Sequence, residues 1–516
     1  MRLIKYITFA QDPLHRAGSY ILIALFLLSS GACKKFLEVQ PTNFTTPGSG
    51  ISSPKVARAL ANGCYTNLQG LLAGQPSSYG GNTWNLMEFM TGKSNSDLGQ
   101  TGFINFQNLS YNSTSFYVDT WWQQLYLGIG ACNLALQNLP SVTASGLSDA
   151  DKKNMLAEAH ALRALYYFFL VRMYGPVAKV TSVPTDLNLK IPRTPAKTIY
   201  DSVIIPDLLA AESSTLPWQD NTGKVSMGAV ESILADVYLT YAGEPINGGS
   251  TYYAESAKRS KAVIASGAYS LFPNYSDMNK PANKNLGEFI FQVQYAASVP
   301  STNPLTALTI PNYSGISKYS DEYGSVYPTD QFIHSFAPGD KRIQERQFFY
   351  TKYPSIKTGD TVVFKAHYIY KWFDSLAVTS TTKSDLNYSL YRLADVYLLY
   401  AEASNRSEGG PDNNAIAYVN QIRARASLAP IGVLSQTAFE QEVWLQRYYE
   451  LCFENKMWFD MLRTQKVHND VTGNWDNFVG HTTVWGATFT NSQLLFPIPK
   501  QESDVNPNLL PNNPGF

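Results

Sequence analysis

SDADKKNMLAEAHALRALYYFFLVRMYGP, residues 148–176, reads as one long helix with both ends marked. Ser148 and Asp151 have capping-box spacing, so the serine oxygen can take an orphan N–H of the first turn. Met155, Ala159, Leu162, Tyr166, Phe169 and Met173 then recur in steps of four and three, which lays one apolar stripe along the helix. Tyr174-Gly175-Pro176 ends it, because Gly accepts the left-handed cap and Pro has no N–H with which to continue.

Along the rest of the chain the same periodicity predicts helices over 54–72, 116–139, 195–213, 226–241, 253–266, 391–406 and 413–426. A longer one runs over 437–463 with a bend near Asn455. Several fall into consecutive pairs with short connections: 148–174 with 195–213, 226–241 with 253–266, and 391–406 with 413–426. Alanines at 159, 235 and 401 allow close helix contacts. The expected fold is mainly α, a scaffold of degenerate tetratricopeptide-like pairs carrying long irregular loops and a few short strands. Residues 288–295 form one such strand.

Two stretches break the helical rhythm. Residues 73–115 are rich in Gly, Ser, Asn and Thr and carry Tyr79, Trp84, Phe89, Phe103, Phe106 and Tyr111. Residues 296–330 are similar, with Tyr313, Tyr319, Tyr323 and Tyr327. Loops of this length in a compact domain are functional or disordered, and disordered segments are poor in aromatics. Both stretches therefore read as functional loops.

The first 32 residues differ from the rest. Arg2, Lys5 and Arg16 precede the apolar run 21–28, and Ser29-Ser30-Gly31-Ala32 closes it before Cys33. A basic start, a short apolar core and a small-residue exit make a secretory signal, and the run is too short to span a bilayer. Gly31-Ala32-Cys33 resembles a bacterial lipobox, in which the cysteine is acylated and becomes the new N-terminus.

Without residues 1–32, 37 Lys+Arg face 39 Asp+Glu. With no long basic run, the chain is not expected to bind nucleic acid. Cys64, Cys132 and Cys452 lie in apolar helical contexts and read as buried free thiols. No HExxH, GxSxG, Walker A or EF-hand pattern is present, and the six histidines have no ligand spacing, so neither metal nor cofactor is implied. Gly128-x-Gly130 lies inside a helix, and His160 between alanines reads as structural. Glu158 with Arg163, and Asp340 with Arg342, read as ion pairs.

Several ordered blocks carry a resemblance. They are Cys33-Lys-Lys-Phe36-Leu37-Glu38 with Pro41; Ala157-Glu158-Ala159 through Tyr167 with Tyr174-Gly175; and Ile199-Tyr200-Asp201 with Asp207-Leu208. Further on come Arg392-Leu-Ala394-Asp395 through Ala403; Asn420-x-x-Arg423-x-Arg425; Glu450-Leu451-x-Phe453-Glu454 with Trp458-Phe-Asp460-x-x-Arg463; Phe496-Pro-Ile-Pro499; and Asn513-Pro-Gly-Phe516. Together they resemble the SusD/RagB family of outer-membrane nutrient-binding lipoproteins. Gln446 and Met457 depart from the family's usual acid and arginine.

The resemblance implies a leader over 1–32 and a body over 33–516, with N-terminal (33–240) and C-terminal (241–516) regions merged in one structure. It implies a lipid on Cys33, a place on the outer membrane at the cell surface, and a SusC-like TonB-dependent barrel as partner. It also implies capture of a glycan or, in some members, a peptide, with no catalysis and no cofactor.

Glycan capture needs flat rings for the C–H faces of sugars, with amide, hydroxyl and carboxylate groups for their hydroxyls. Tyr79, Trp84 and Asn85 supply that combination in the first loop, and Tyr319, Asp321 and Tyr323 in the second. The same rings could instead pin the loops to the body. Trp121-Trp122, within a helix, reads as core. Two alternatives stand beside glycan capture: the same architecture serving peptides, and a lipid-anchored glycoside hydrolase, which needs only two suitably placed carboxylates.

Overall fold

Ser148 caps the first turn as its spacing predicts, its Oγ accepting from the N–H of Asp151 at 3.0 Å, and the helix runs Asp149–Tyr174 to a Gly175 with φ of +69°. These coordinates come from a computed structural model, which describes residues 53–73, 83–143, 145–186, 188–298, 302–318, 322–381 and 383–516. The leader, Cys33, Tyr79, Tyr319 and Asp321 lie outside the described residues, as do the side chains of Trp84 and Asn85.

The predicted helix pairs form. Asp149–Tyr174 packs on Ile205–Glu212, Met227–Ala242 on Ser250–Ala265, and Leu393–Glu408 on Asn413–Arg425. The second and third pairs also join, since Ser250–Ala265 lies against Leu393–Glu408. Their seam is built from Ala235, Leu239, Leu399 and Ala403, all fully buried, where small side chains admit close helix approach. Ser226, Asp412 and Ser435 cap their helices through side-chain oxygens. Gly128, in the helix Phe116–Asn138, is a packing glycine: a Cβ there would lie 2.5 Å from the Tyr166 ring. Ser52–Phe516 make up one compact unit, and no helix among the described residues is long and apolar enough to cross a membrane.

Boundaries moved where distant groups intervene. The 195–213 helix contains a π turn over Tyr200–Ile204, just before Pro206, which cannot donate to the carbonyl four residues back. Residues 388–392 pair with the strand Phe289–Val293, so the next helix starts at Leu393 rather than Tyr391. The 437–463 helix is two, Gln436–Glu450 and Met457–Thr464. The carbonyl of Glu450 accepts from Lys371 Nζ and from an Arg392 Nη, and that of Cys452 from Lys371. Phe453 and Asn455 then turn through positive φ.

The described residues 83–115 are not a long loop. They fold as the helices Thr83–Met90 and Thr101–Gln107 around a short strand, Ser94–Asn95. Phe89, Phe103, Phe106 and Tyr111 are buried. Phe106 stacks on Tyr111 at 4.8 Å, and both rings meet Phe496 from the Phe-Pro-Ile-Pro block. Within 296–330, Leu305–Thr309 is a helical turn and Tyr327–Pro328 a short strand. Trp121 and Trp122 are core residues, and Cys64, Cys132 and Cys452 are free and buried, as predicted. Strands among the described residues occur only as two-stranded antiparallel pairs.

Candidate functional site

The two irregular stretches meet through segments more than 200 residues apart in sequence. Ser94 and Asn95 pair antiparallel with Pro328 and Tyr327. The N–H of Thr329 donates to the Lys93 carbonyl at 2.9 Å, and that of Asp97 to the Gly324 carbonyl at 2.8 Å.

Asp97 organises the junction. Its carboxylate is 5% exposed. One oxygen accepts from the Asn312 N–H at 3.0 Å and from the Tyr368 hydroxyl at 2.8 Å, and the other lies 2.7 Å from Lys365 Nζ. One side chain therefore ties the 94–97 segment to the second irregular stretch and to the hairpin of Phe349–Pro354 with Thr361–Ile369. Gly324 has φ of +54°, and a Cβ there would lie 2.1 Å from the Asp97 carboxylate, so this close approach requires glycine. Lys365 stays 66% exposed, and its bond to Asp97 holds its ammonium above the usual range. Burial, followed by the Asp97 bond and charge, pushes the Tyr368 hydroxyl up.

Glu322 fixes the adjoining turn by accepting from the N–H groups of Gly315 and Ser317, each at 2.7 Å. Tyr313 projects from that turn, 86% exposed. On the opposite edge of the 94–95 strand, Trp485 Nε1 donates to the Ser94 carbonyl at 3.2 Å while its side chain remains 37% exposed. The junction thus carries two exposed rings, Tyr313 and Trp485, and one exposed ammonium, Lys365, over a hydrogen-bonded base.

Of the residues singled out from the sequence, Tyr323 lies in this junction, its N–H donating to the Ala307 carbonyl at 3.1 Å. Trp84 and Asn85 occupy the first turn of Thr83–Met90, the helix that leads into the 94–97 segment. Sequence reasoning missed Asp97, Lys365 and Trp485. An acid in a Ser/Asn/Gly-rich segment and a tryptophan directly before Gly486 are turn-like signals that could have drawn notice to two of them.

The charged groups of the sequence blocks lie elsewhere, in a buried lattice. Arg392 reaches Glu288 at 2.9 Å, Glu450 at 2.8 Å and Glu454 at 2.9 Å. Arg425 reaches Glu450 at 2.7 Å and also pairs with Glu288. Asp340 pairs with Arg342 at 2.6 Å as predicted, and Gln446, in place of an acid, accepts from Arg342 at 3.1 Å. Burial alone would raise the Glu450 carboxyl, but Arg425, Arg392, Arg342 and Lys371 hold it at about 2.

Asp460 bridges Arg447 and Arg463 in a neighbouring set. Glu158 does not pair with Arg163, because residues five apart on a helix point to different faces. Glu158 binds Arg58, and Arg163 shares Asp207 with His160. A cavity of about 270 Å³, lined mainly by apolar groups including Val171, Pro176, Tyr200, Pro245, Phe459 and Leu495, lies apart from the Asp97 face.

Two family models match the chain: one described as the SusD family over residues 340–516, the other as "Starch-binding associating with outer membrane" over 35–239. The crystal structure of a SusD superfamily protein from Parabacteroides distasonis is 47% identical, with a TM-score of 0.86 over 90% of this chain and 99% of that one. SusD-like protein P2 of Formosa agariphila is 26% identical over 96% of this chain and 99% of its own length. Surface glycan-binding protein A of Bacteroides thetaiotaomicron, solved with laminarihexaose, shares the fold at 18% identity, with a TM-score of 0.71 over 90% of this chain and all of that one.

Proposed function

The chain belongs to the SusD superfamily, and on that footing we propose that it is a cell-surface lipoprotein that captures oligosaccharide and hands it to a SusC-like TonB-dependent barrel in the outer membrane. In this reading residues 1–32 are the leader, Cys33 carries the lipid, and the body comprises merged regions over 33–240 and 241–516. Tyr79, Trp84, Asn85, Tyr319, Asp321 and Tyr323 contact the ligand.

The observation that carries the proposal is the Asp97 junction, which brings both irregular stretches onto one face. Exposed Tyr313 and Lys365 at that junction offer a ring for C–H faces and a donor for hydroxyls, the pairing that glycan capture needs. The laminarihexaose bound by a neighbour of the same fold supports the ligand class. A peptide would take this face most readily by adding to an open strand edge. The Ser94 carbonyl on that edge is already occupied by Trp485 and by Gln107, at 3.3 Å, which favours glycan over peptide. Hydrolysis would need an accessible carboxyl pair, whereas the acids clustered in the lattice, Glu288, Glu450 and Glu454, are buried against guanidinium groups. The proposed role is binding without catalysis.

Calorimetry on the soluble form lacking Cys33, with laminarihexaose, a xyloglucan oligosaccharide, maltoheptaose and a peptide mixture, tests this reading. At least one glycan should bind without being cleaved, and Trp84→Ala and Tyr323→Ala should weaken it. Binding of peptides alone, or the appearance of cleavage products, would overturn the function. Unchanged affinity in both variants would overturn the residue assignment.

A further inference from the structure

Trp485 sits at the tip of a small hairpin far along the chain from either irregular stretch. Thr482 and Thr488 bridge its base, their hydroxyls 2.9 Å apart, and the N–H of Thr483 donates to the Ala487 carbonyl at 2.8 Å. Below the tip, Phe489 stacks on Phe478 at 4.6 Å. Thr483 nests against Gly92, where a Cβ would come within 2.8 Å, so the hairpin docks closely on the segment leading to Ser94.

The indole is fixed from its edge. The Lys93 carbonyl and the Asp97 N–H are both bonded to the 324–329 segment. Strand alternation therefore turns the Ser94 carbonyl the other way, and there it receives Trp485 Nε1 at 3.2 Å. With its one polar group engaged, the side chain offers solution only its ring system, of which 37% remains exposed. An exposed, pre-oriented ring beside hydrogen-bonding backbone loses little entropy on meeting a flat apolar surface.

We infer that Trp485 is a stacking platform for a pyranose ring at the edge of the Asp97 face, a ligand-contacting residue contributed by the 482–488 hairpin to a site otherwise built from residues 94–97, 312–317, 322–329 and 361–369. This rests on the glycan-binding reading above and adds a residue to it.

The test labels the protein with 5-fluorotryptophan, giving nine possible ¹⁹F signals. The Trp485 line is assigned by its loss in Trp485→Phe, and the protein is titrated with laminarihexaose, the xyloglucan oligosaccharide and maltoheptaose. With whichever glycan binds, the Trp485 line should shift in step with calorimetric saturation. Trp485→Ala should lose about tenfold in affinity, and Trp485→Phe, which keeps a ring, should lose less. An unmoved Trp485 line, or wild-type affinity in Trp485→Ala, overturns the inference while leaving glycan binding in place. Failure of all three glycans to bind the wild-type protein overturns both readings. The ¹⁹F titration uses the intact side chain, so it decides the matter even if the alanine variant folds poorly.

Discussion

Glu88 shows how far a single residue's chemistry was legible. The sequence marks it as an acid inside an apolar helix, TWNLMEFM, but not what it meets. In the fold it is 2% exposed, accepts from the Asn455 N–H at 2.8 Å, and is pushed up to about 7 by burial. Below about pH 4.5 the carboxyl is protonated whether the chain is folded or not. Between about 4.5 and 7 only the unfolded chain releases the proton, so stability falls as pH rises, and above 7 the loss is constant. Glu88→Gln removes that loss. In urea melts the variant should match the wild type at pH 4 and exceed it by up to about 3 kcal/mol at pH 8. Asp97 was illegible for a related reason: all four of its partners, Asn312, Gly324, Lys365 and Tyr368, come from segments more than 200 residues away.

Among elements, helices governed by their own periodicity were readable to within a few residues, including the Ser148 cap and the Gly175 stop. The misread ones answer to distant partners. Nothing within 437–463 announces that Lys371 and Arg392 will draw off its carbonyls and end a helix at Glu450. The rings of 73–115 read as loop aromatics because Phe496 and Phe516, which help bury Tyr111, stand at the far end of the chain. The blocks from 392, 425 and 450–454 converge on one lattice, which gives a physical reason for those residue types at those places. Arg392 holds three buried acids, so Arg392→Leu leaves charge uncompensated. It should cost about 3–5 kcal/mol in urea unfolding monitored by circular dichroism.

For the molecule as a whole, the helical scaffold and its pairing followed from sequence, whereas the assembly of the Asp97 junction did not. The two irregular stretches could each be suspected of function. That they share one junction, with a third contribution from the 482–488 hairpin, depends on tertiary contacts with no local signature. In the proposed function, glycan binds at that junction. Hydrogen–deuterium exchange of the soluble protein with and without the glycan that binds tests it most directly. Binding there should add protection in peptides covering 94–98, 312–328, 361–369 and 482–488. Protection confined to the walls of the apolar cavity around 171–176, 244–246 and 494–495, with the junction unchanged, would contradict it.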